Sequence, residues 1–245
     1  MHLTTFSSDL VFDGALDRPY VESDTVAPLN VYGRSKAEAE LRVQDKHPGA
    51  LVVRTSAFFG PWDKYNFVTL ALGALERGEP FRAAHDMAVS PTYVPDLVHA
   101  CLDLAIDGES GVWHLANVGT LTWVERAERA ATRAGVDASR LEAVSTDSIG
   151  FAAARPRYTG MHSERGILLP GLDHALIHRA ASAGPNSPCE KSAMFPSFVA
   201  RRLISRSARS DTCAGISPAG QPSRNTFPCG RSLRMSRESL QIGRA

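Results

Sequence analysis

Short apolar runs alternate with longer amphipathic stretches along the first 146 residues. The runs are HLTTFSS (2–8), ALVVRTS (50–56), VWHLAN (112–117) and LEAVST (141–146). They are rich in apolar and β-branched residues, which is typical of buried strands. The stretches between them have the composition and spacing of helices, at 35–46, 67–80, 94–108 and 122–134. Strands that alternate with helices of this length predict an α/β fold with a parallel sheet.

Local signals mark where two of these helices begin or end. His47-Pro48-Gly49 follows the first helical stretch and would stop it, because proline cannot continue a helix. The residues Thr122 and Glu125 have the spacing of a capping box, in which each side chain satisfies a free backbone N–H group. We therefore expect the fourth helix to begin directly after Thr122.

The overall composition is that of a globular protein, with 43% hydrophobic and 22% charged residues. No stretch approaches the roughly 18 uncharged apolar residues that cross a bilayer, so no membrane partner is expected. The N-terminal segment MHLTTFSSDLVFDG lacks the basic region and the long apolar run of a secretion signal. These features predict a cytoplasmic protein.

The charge balance changes near Arg179. Residues 1–179 contain 17 Lys and Arg against 23 Asp and Glu, whereas residues 180–245 contain 10 against 3. The later segment is rich in Ser, Arg and Pro and has no hydrophobic period, which predicts disorder. We therefore expect a folded domain at 1–179 and a basic tail of low order at 180–245.

Two other interpretations of the tail stay open. A basic segment is able to bind nucleic acid or an acidic surface, but this one lacks interleaved aromatic residues, so no nucleic-acid partner is expected. The abrupt loss of pattern is also what a shifted reading frame would produce. Three of the four cysteines lie in this segment, and their spacing matches no zinc motif.

The stretch PLNVYGRSKAEAE (28–40) places one tyrosine and one lysine at the start of the first helix. Tyr32 and Lys36 are four positions apart, so they share one face of that helix. A nearby ammonium favours the ionised form of a phenol, so this pair suits the transfer of a proton to a carbonyl oxygen. Taken alone, the same spacing is equally typical of an exposed helix surface.

Several ordered motifs surround this pair. They are FSSDLVFDG (6–14), PLNVYGRSKAEAE (28–40), VVRTSAFFGPW (52–62), SPTYVPDLVHA (90–100), GVWHLAN (111–117) and RPRYTGMHSERG (155–166). Together they resemble the extended short-chain dehydrogenases/reductases, specifically the dTDP-4-dehydrorhamnose reductase branch, over residues 3–178. The resemblance implies part of an NAD(P)-binding Rossmann-like parallel sheet, followed by a small C-terminal α/β portion that binds substrate. It also implies that NADPH or NADH reduces a nucleotide-activated 4-keto sugar.

The resemblance assigns roles to residues at matching positions. Tyr32 would be the catalytic acid, and Lys36 would assist it and hydrogen-bond the nicotinamide ribose. Ser8 stands where the family has threonine, and it keeps a hydroxyl that would polarise the substrate carbonyl. Thr55 and Ser56 would complete the cofactor site near the nicotinamide, together with Tyr32 and Lys36.

Other residues are expected on the substrate side. They are Ser8, Asn66, Ser90, Tyr93 and Arg157, of which Arg157 carries a guanidinium that could bind a phosphate group bidentately. A structural role is the alternative for each of them, in a turn, in the core or in a surface ion pair. Asn30 would fix the loop before the first helix or simply form a turn. No metal is expected, because no metal-ligand spacing relates His85, His99 and His114.

The sequence departs from the family pattern in three places. Leu10 replaces a tyrosine, and Ala57 stands where the rhamnose-pathway reductases tend to have a tryptophan, so the identity of the sugar stays open. The glycine-rich turn that receives the dinucleotide pyrophosphate does not occur in the 245 residues. Because Met1 matches the start of the family's fifth strand, we expect an N-terminally truncated chain with impaired activity.

Such a truncation predicts one uncovered edge of the sheet, through which the chain would form a homodimer or associate with another chain. Two alternative functions stay open as well. The chain would be a non-catalytic fragment or regulatory module of the same fold, or a sugar-nucleotide epimerase or dehydratase, since those enzymes share the Tyr-x-x-x-Lys helix.

Overall fold

The computed structural model describes residues 2–60 and 62–174. Its strands are β1 (Thr4–Ser8), β2 (Leu51–Thr55), β3 (Phe58–Phe59), β4 (Phe81–Ala84), β5 (Ala88–Val89), β6 (Thr92–Tyr93), β7 (Gly111–His114), β8 (Leu121–Thr122), β9 (Leu141–Val144) and β10 (Tyr158–Thr159). Its helices are α1 (Val31–Lys46), α2 (Phe67–Glu76), α3 (Val94–Ile106), α4 (Trp123–Ala134) and α5 (Thr146–Ile149). A single 3₁₀ turn, Asp9–Val11, follows β1 directly.

Three parallel strands form the central sheet, in the order β1–β2–β7. The middle strand is buried along its whole length, as expected for a strand that is covered on both faces. The prediction of an α/β fold with a parallel sheet is therefore confirmed. Within the described part of the chain, β1 pairs only with β2 and forms one edge of this sheet.

Helices α1 and α3 lie on opposite faces of this sheet. Val53 packs in one apolar cluster with Leu97 and Leu104 of α3. The next residue, Arg54, points to the other face, because side chains alternate along a strand, and there it contacts Glu40 of α1. The site at the ends of β1 and β2 is therefore held between two helical layers.

A second layer of short strands and helices lies beyond the central sheet. Helices α2 and α4 pack together with β3, β6 and β8 around a separate apolar cluster that includes Phe59, Val68 and Ala130. Thr122 and Glu125 form the predicted capping box at the start of α4. In this layer β4 pairs with β9 in parallel, whereas β5 pairs with β8 in the antiparallel direction.

The boundaries of several elements differ from those predicted. Helix α2 ends at Glu76 rather than at Pro80, and β9 ends at Val144 rather than at Thr146, where α5 begins. Helix α1 begins at Val31, four residues before the predicted Ser35, because the Asn30 side chain caps the helix there. Strand β7 ends at His114 rather than at Asn117, whose side chain instead accepts a hydrogen bond from the Tyr93 backbone N–H.

The predicted domain boundary near Arg179 and the basic tail at 180–245 lie outside the described residues. Among the residues that the structure describes, no helix is both long enough and apolar enough to cross a membrane.

Candidate active site

A cleft of about 280 Å³ opens where β1 and β2 end. Ser8 and Thr55 are the last residues of these strands and are register partners. The carboxyl ends of parallel strands are where open α/β sheets bind ligands. The polar lining of the cleft consists of Ser7, Ser8, Asp9, Tyr32, Thr55, Ser56, Arg155 and Thr159. Its apolar lining includes Ala57, Phe58, Met87, Val89 and Trp123.

Tyr32 and Lys36 approach this cleft from the first turns of α1. The Tyr32 side chain lines the cleft and is about half exposed, at 52%. The Lys36 ammonium lies 5.7 Å from the centre of the Tyr32 ring and donates a hydrogen bond to the Phe6 carbonyl oxygen at 3.1 Å. An ammonium has three N–H donors, so two of them stay available to a ligand.

Two residues fix the position of α1 relative to β1. The Asn30 amide oxygen caps the helix by accepting a hydrogen bond from the Gly33 backbone N–H at 2.7 Å. A Cβ atom at Gly33 would clash with the carbonyl oxygen of Leu10 in the 3₁₀ turn. Glycine at position 33 therefore allows the helix backbone to approach the end of β1, which brings Tyr32 close to Ser8.

The Asn30 side chain also makes a long-range contact. Its amide nitrogen donates to the Ala154 carbonyl oxygen at 2.9 Å, so the start of α1 is joined to the segment that carries Arg155. The expectation that Asn30 fixes the loop before the helix agrees with this geometry, and the second contact was not foreseen.

A buried carboxyl lies next to Ser8. Asp9 is 6% exposed and accepts hydrogen bonds from three hydroxyl groups, those of Ser8 at 3.0 Å, Thr159 at 2.7 Å and Ser56 at 2.5 Å. Burial raises the pKa of Asp9, although these hydrogen bonds oppose the shift. No basic side chain is bonded to this carboxyl among the described residues, so its charge is stabilised by the three hydroxyl donors and by the backbone N–H of Leu10.

These bonds determine what the Ser8 hydroxyl is able to do. Its O–H donates to Asp9 and its oxygen accepts from the Leu10 backbone N–H at 3.2 Å. To polarise a bound carbonyl, the O–H must turn from Asp9 toward the ligand. The neighbouring Ser7 hydroxyl is also buried, and it has no hydrogen-bond partner among the described residues.

The other predicted cofactor residues lie in the same cleft. Thr55 is buried, and its hydroxyl donates to that of Thr92 at 3.2 Å. Ser56 is held by Asp9. The structure thus brings together Ser8, Tyr32, Thr55 and Ser56 in one lining, whereas Lys36 lies beside the Tyr32 ring and is not itself among the lining residues.

Four predicted substrate residues do not line this cleft. Asn66 caps α2 by accepting from the Thr69 backbone N–H at 3.0 Å. Ser90 is fully buried and accepts from the Met161 backbone N–H at 2.9 Å. Tyr93 packs in the apolar cluster of the second layer. Arg157 forms ion pairs with two aspartates. Substrate contact by any of the four stays a prediction.

Sequence reasoning missed several residues that line the cleft. Asp9 follows Ser8 directly in FSSDL, so its position next to the proposed catalytic hydroxyl was the one signal available. Thr159 is 150 positions away from Asp9, and only the fold brings the two together. Arg155 and Trp123 also lie far along the chain, and no spacing relates them to Tyr32.

A Rossmann-like parallel sheet with a Tyr-x-x-x-Lys helix beside a hydroxyl-lined cleft defines the class of extended short-chain dehydrogenases/reductases. Comparison with known families makes this assignment more specific. The chain belongs to the family described as the RmlD substrate binding domain, whose model matches residues 1–170. The resemblance inferred from the sequence motifs is thereby confirmed.

Curated relatives include reductases of sugar nucleotides. The chain is 34% identical to a dTDP-4-keto-6-deoxy-D-glucose reductase of Streptomyces niveus, over 65% of this chain and 55% of that protein. It is 35% identical to a dTDP-4-dehydrorhamnose reductase of Mycolicibacterium smegmatis, over 66% of this chain and 50% of that protein. The chain therefore spans about half the length of the curated relatives that it matches.

A solved structure of a reductase of this kind has a similar fold. The dTDP-4-dehydrorhamnose reductase of Bacillus anthracis, crystallised in complex with NADP, matches with a TM-score of 0.68 and 32% identity. The match covers 72% of this chain and 64% of that one.

Proposed function

We propose that this chain carries the substrate-binding and proton-transfer part of an NAD(P)H-dependent reductase of a nucleotide-activated 4-keto sugar, as in dTDP-rhamnose biosynthesis. The observation that carries the proposal is the single cleft shared by Ser8, Tyr32, Thr55 and Ser56, with the Lys36 ammonium beside the Tyr32 ring. The relatives named above are reductases of this substrate class, which supports the same reaction for this chain.

The proton transfer follows from the position of each side chain. Reduction of a ketone leaves negative charge on its oxygen, and the half-exposed Tyr32 phenol supplies the proton to that oxygen. The Lys36 ammonium lies 5.7 Å from the centre of the Tyr32 ring and offsets the negative charge left on the phenol oxygen after the proton is transferred. Ser8 donates a second hydrogen bond to the same oxygen once its O–H turns away from Asp9.

The residues of the cleft fit one end of a nicotinamide cofactor, either NADPH or NADH. When bound, the nicotinamide supplies the hydride for the reduction. The Lys36 ammonium and the phenol of Tyr32 suit the ribose hydroxyls, and Thr55 and Ser56 line the same cleft as Tyr32. The sequence offers no motif for the pyrophosphate of the cofactor, because the 245 residues contain no glycine-rich turn of the Gly-x-x-Gly-x-x-Gly form.

We also propose a cytoplasmic location and association through the edge that β1 forms among the described residues. An edge strand exposes unpaired backbone groups that a second chain is able to pair with. A homodimer built in this way would place two copies of β1 side by side.

The proposal is tested by substituting the phenol of the proposed acid. In Tyr32→Phe we expect the rate of NADPH oxidation with dTDP-4-dehydrorhamnose to fall by about 100- to 10,000-fold, because no group remains to deliver the proton. The matched control is Tyr65→Phe, which removes the hydroxyl of an exposed tyrosine outside the cleft and should leave the rate unchanged. Activity retained in Tyr32→Phe would contradict the mechanism.

A second candidate is a non-catalytic binding module of the same fold, because the family model that matches residues 1–170 is described as a substrate binding domain. Titration of NADPH and of dTDP into the purified chain separates the two. Binding of dTDP without any turnover supports the module, whereas turnover that depends on Tyr32 excludes it.

A further inference from the structure

One arginine of the cleft forms no ion pair within the part of the chain that the structure describes. Arg155 lines the cleft and is exposed, and its guanidinium lies 4.7 Å from the centre of the Phe151 ring. Among the described residues, no ion pair to Arg155 is formed, whereas Arg157 in the same segment is paired with two aspartates. A guanidinium that is supported by an aromatic ring but has no anion beside it is suited to an anionic ligand.

Arg157, two positions along the chain, differs in each of these respects. Its guanidinium donates to Asp86 at 2.9 Å and to Asp147 at 3.2 Å, and it does not line the cleft. A ligand phosphate would have to displace these carboxylates to reach Arg157. The pattern of the sequence alone pointed to Arg157, but the charge that faces the cleft is that of Arg155.

The backbone on either side of Arg155 is held in place. The preceding carbonyl, that of Ala154, accepts the hydrogen bond from the Asn30 cap of α1. The following residue, Pro156, is buried and lies close to Gly14. Further along, Thr159 donates to Asp9 beneath the cleft. The segment therefore presents Arg155 to the cleft that Tyr32 also lines, and binding does not have to order the backbone around it.

The remaining charge in the cleft does not oppose an anion strongly. Asp9 is the only acidic residue in the described lining, and it is buried beneath three hydroxyl groups. Because burial raises the pKa of Asp9, its neutral form extends to higher pH than that of an exposed aspartate. The exposed face of the cleft therefore carries the positive charge of Arg155.

We propose that Arg155 binds a phosphate group of the nucleotide that enters the Ser8–Tyr32 cleft. This inference rests on the proposed function and adds to it the residue that recognises the phosphate. A planar guanidinium is able to donate two parallel N–H bonds to one phosphate. The phosphate belongs either to the nucleoside diphosphate of the sugar substrate or to the dinucleotide, and the experiment separates these two sources.

The test measures binding and needs no catalysis. Titrations of dTDP and of NADP⁺ into the full chain, by calorimetry, compare the wild type with Arg155→Gln and Arg155→Lys. We expect Arg155→Gln to raise the Kd of one of these ligands by about 10- to 100-fold, the loss that follows removal of a hydrogen bond to a charged group. Arg155→Lys should recover only part of that loss, because an ammonium is a point donor.

The matched control is Arg140→Gln, which removes an exposed arginine outside the cleft and should leave both Kd values unchanged. A loss confined to dTDP assigns the phosphate to the sugar nucleotide, and a loss confined to NADP⁺ assigns it to the dinucleotide. Equal Kd values in the wild type and in Arg155→Gln overturn the inference, as does a wild type that binds neither ligand. Loss of binding in Arg155→Gln with no NADPH oxidation by the wild type would support Arg155 and reject the reductase.

Discussion

At the scale of single residues, Asp9 determines how the cleft responds to pH. Its carboxyl accepts hydrogen bonds from Ser8, Ser56 and Thr159, three residues from separate parts of the chain. Hydroxyl groups are weaker partners for a buried negative charge than a guanidinium or an ammonium would be. The charged form of Asp9 is therefore disfavoured in the folded chain, which is the direction in which burial moves its pKa.

The stability of the chain should depend on this group in a defined direction. Because the pKa of Asp9 is raised on folding, its stabilising contribution is complete below the unfolded value of 3.8 and is lost as the pH rises through the folded value. Asp9→Asn cannot ionise and should not suffer this loss. The free energy of unfolding in urea, measured for both proteins from pH 4 to pH 8, should change in favour of Asp9→Asn as the pH rises.

A constant difference between the two proteins across that range would show that Asp9 does not titrate in this way. The comparison uses the difference between wild type and variant at each pH, so other groups that titrate in both proteins cancel.

The residues of the site were predictable to different extents. Tyr32, Lys36 and Ser8 lie in ordered motifs, so a single sequence was enough to propose them. Asp9 and Thr159 meet only because β10 returns to the end of β1, and no local pattern encodes that meeting. Local chemistry also favoured Arg157, since nothing in the sequence indicated that Asp86 and Asp147 would pair with it.

At the scale of elements, α1 shows how one glycine decides the position of a helix. Glycine is a poor helix former, and substitution by alanine in a helix interior normally stabilises by about 1 kcal/mol. At Gly33 the added Cβ would meet the Leu10 carbonyl oxygen and lie 2.9 Å from the Pro28 Cβ. The close packing of α1 against the 3₁₀ turn therefore outweighs helix propensity at this position.

Two glycine-to-alanine substitutions test this conclusion with opposite expected signs. Gly33→Ala should lower the free energy of unfolding by about 1–3 kcal/mol, the usual cost of an added group in a tightly packed site. Gly73→Ala in α2 places its Cβ 3.3 Å from the flexible end of Arg77, so the helix preference for alanine should prevail and stabilise by up to about 1 kcal/mol. Urea unfolding measures both, and stabilisation by Gly33→Ala would refute the close approach.

The same helix shows which features of the fold the sequence patterns did not predict. The apolar and helical periods located β1, β2 and the four long helices, because each is long enough to show a period. The start of α1 was predicted late, since Gly33 and Tyr32 are weak helix formers and the cap at Asn30 was not recognised as one. Strands of two residues, such as β3 and β6, are too short for any periodicity and exist through their partners alone.

At the scale of the whole molecule, a buried ion pair joins the sheet to α1. Arg54 on β2 and Glu40 on α1 have side chains that are 6% and 5% exposed, and they share two hydrogen bonds, at 2.9 and 2.6 Å. The Arg54 guanidinium also lies 3.4 Å from the Nε2 atom of His114 on β7. One side chain thus contacts α1 and the third strand of the sheet, so its loss should affect the packing of all three elements.

His114 completes this network as a neutral ring. Burial lowers the pKa of His114, and its Nδ1 atom lies 3.1 Å from the carbonyl oxygens of Tyr20 and His162. Nδ1 is therefore the protonated nitrogen, and Nε2 is the acceptor that faces Arg54. Within the described residues, Glu40 is then the carboxylate that forms an ion pair with Arg54, so the buried guanidinium depends on it for its neutralising charge.

Removal of the Glu40 charge should consequently lower the free energy of unfolding much more than removal of an exposed carboxylate on the same helix. Glu40→Gln leaves the buried guanidinium without an opposite charge, and we expect the free energy of unfolding in urea to fall by about 3–5 kcal/mol. Glu38→Gln removes the partner of the exposed Arg42 and should cost about 0.3–0.5 kcal/mol. The double variant Arg54→Met with Glu40→Leu should recover much of the larger loss, since no unpaired charge is then buried. Equal losses in the two single variants would mean that Arg54 reaches solvent, and the network would not hold α1 against the sheet.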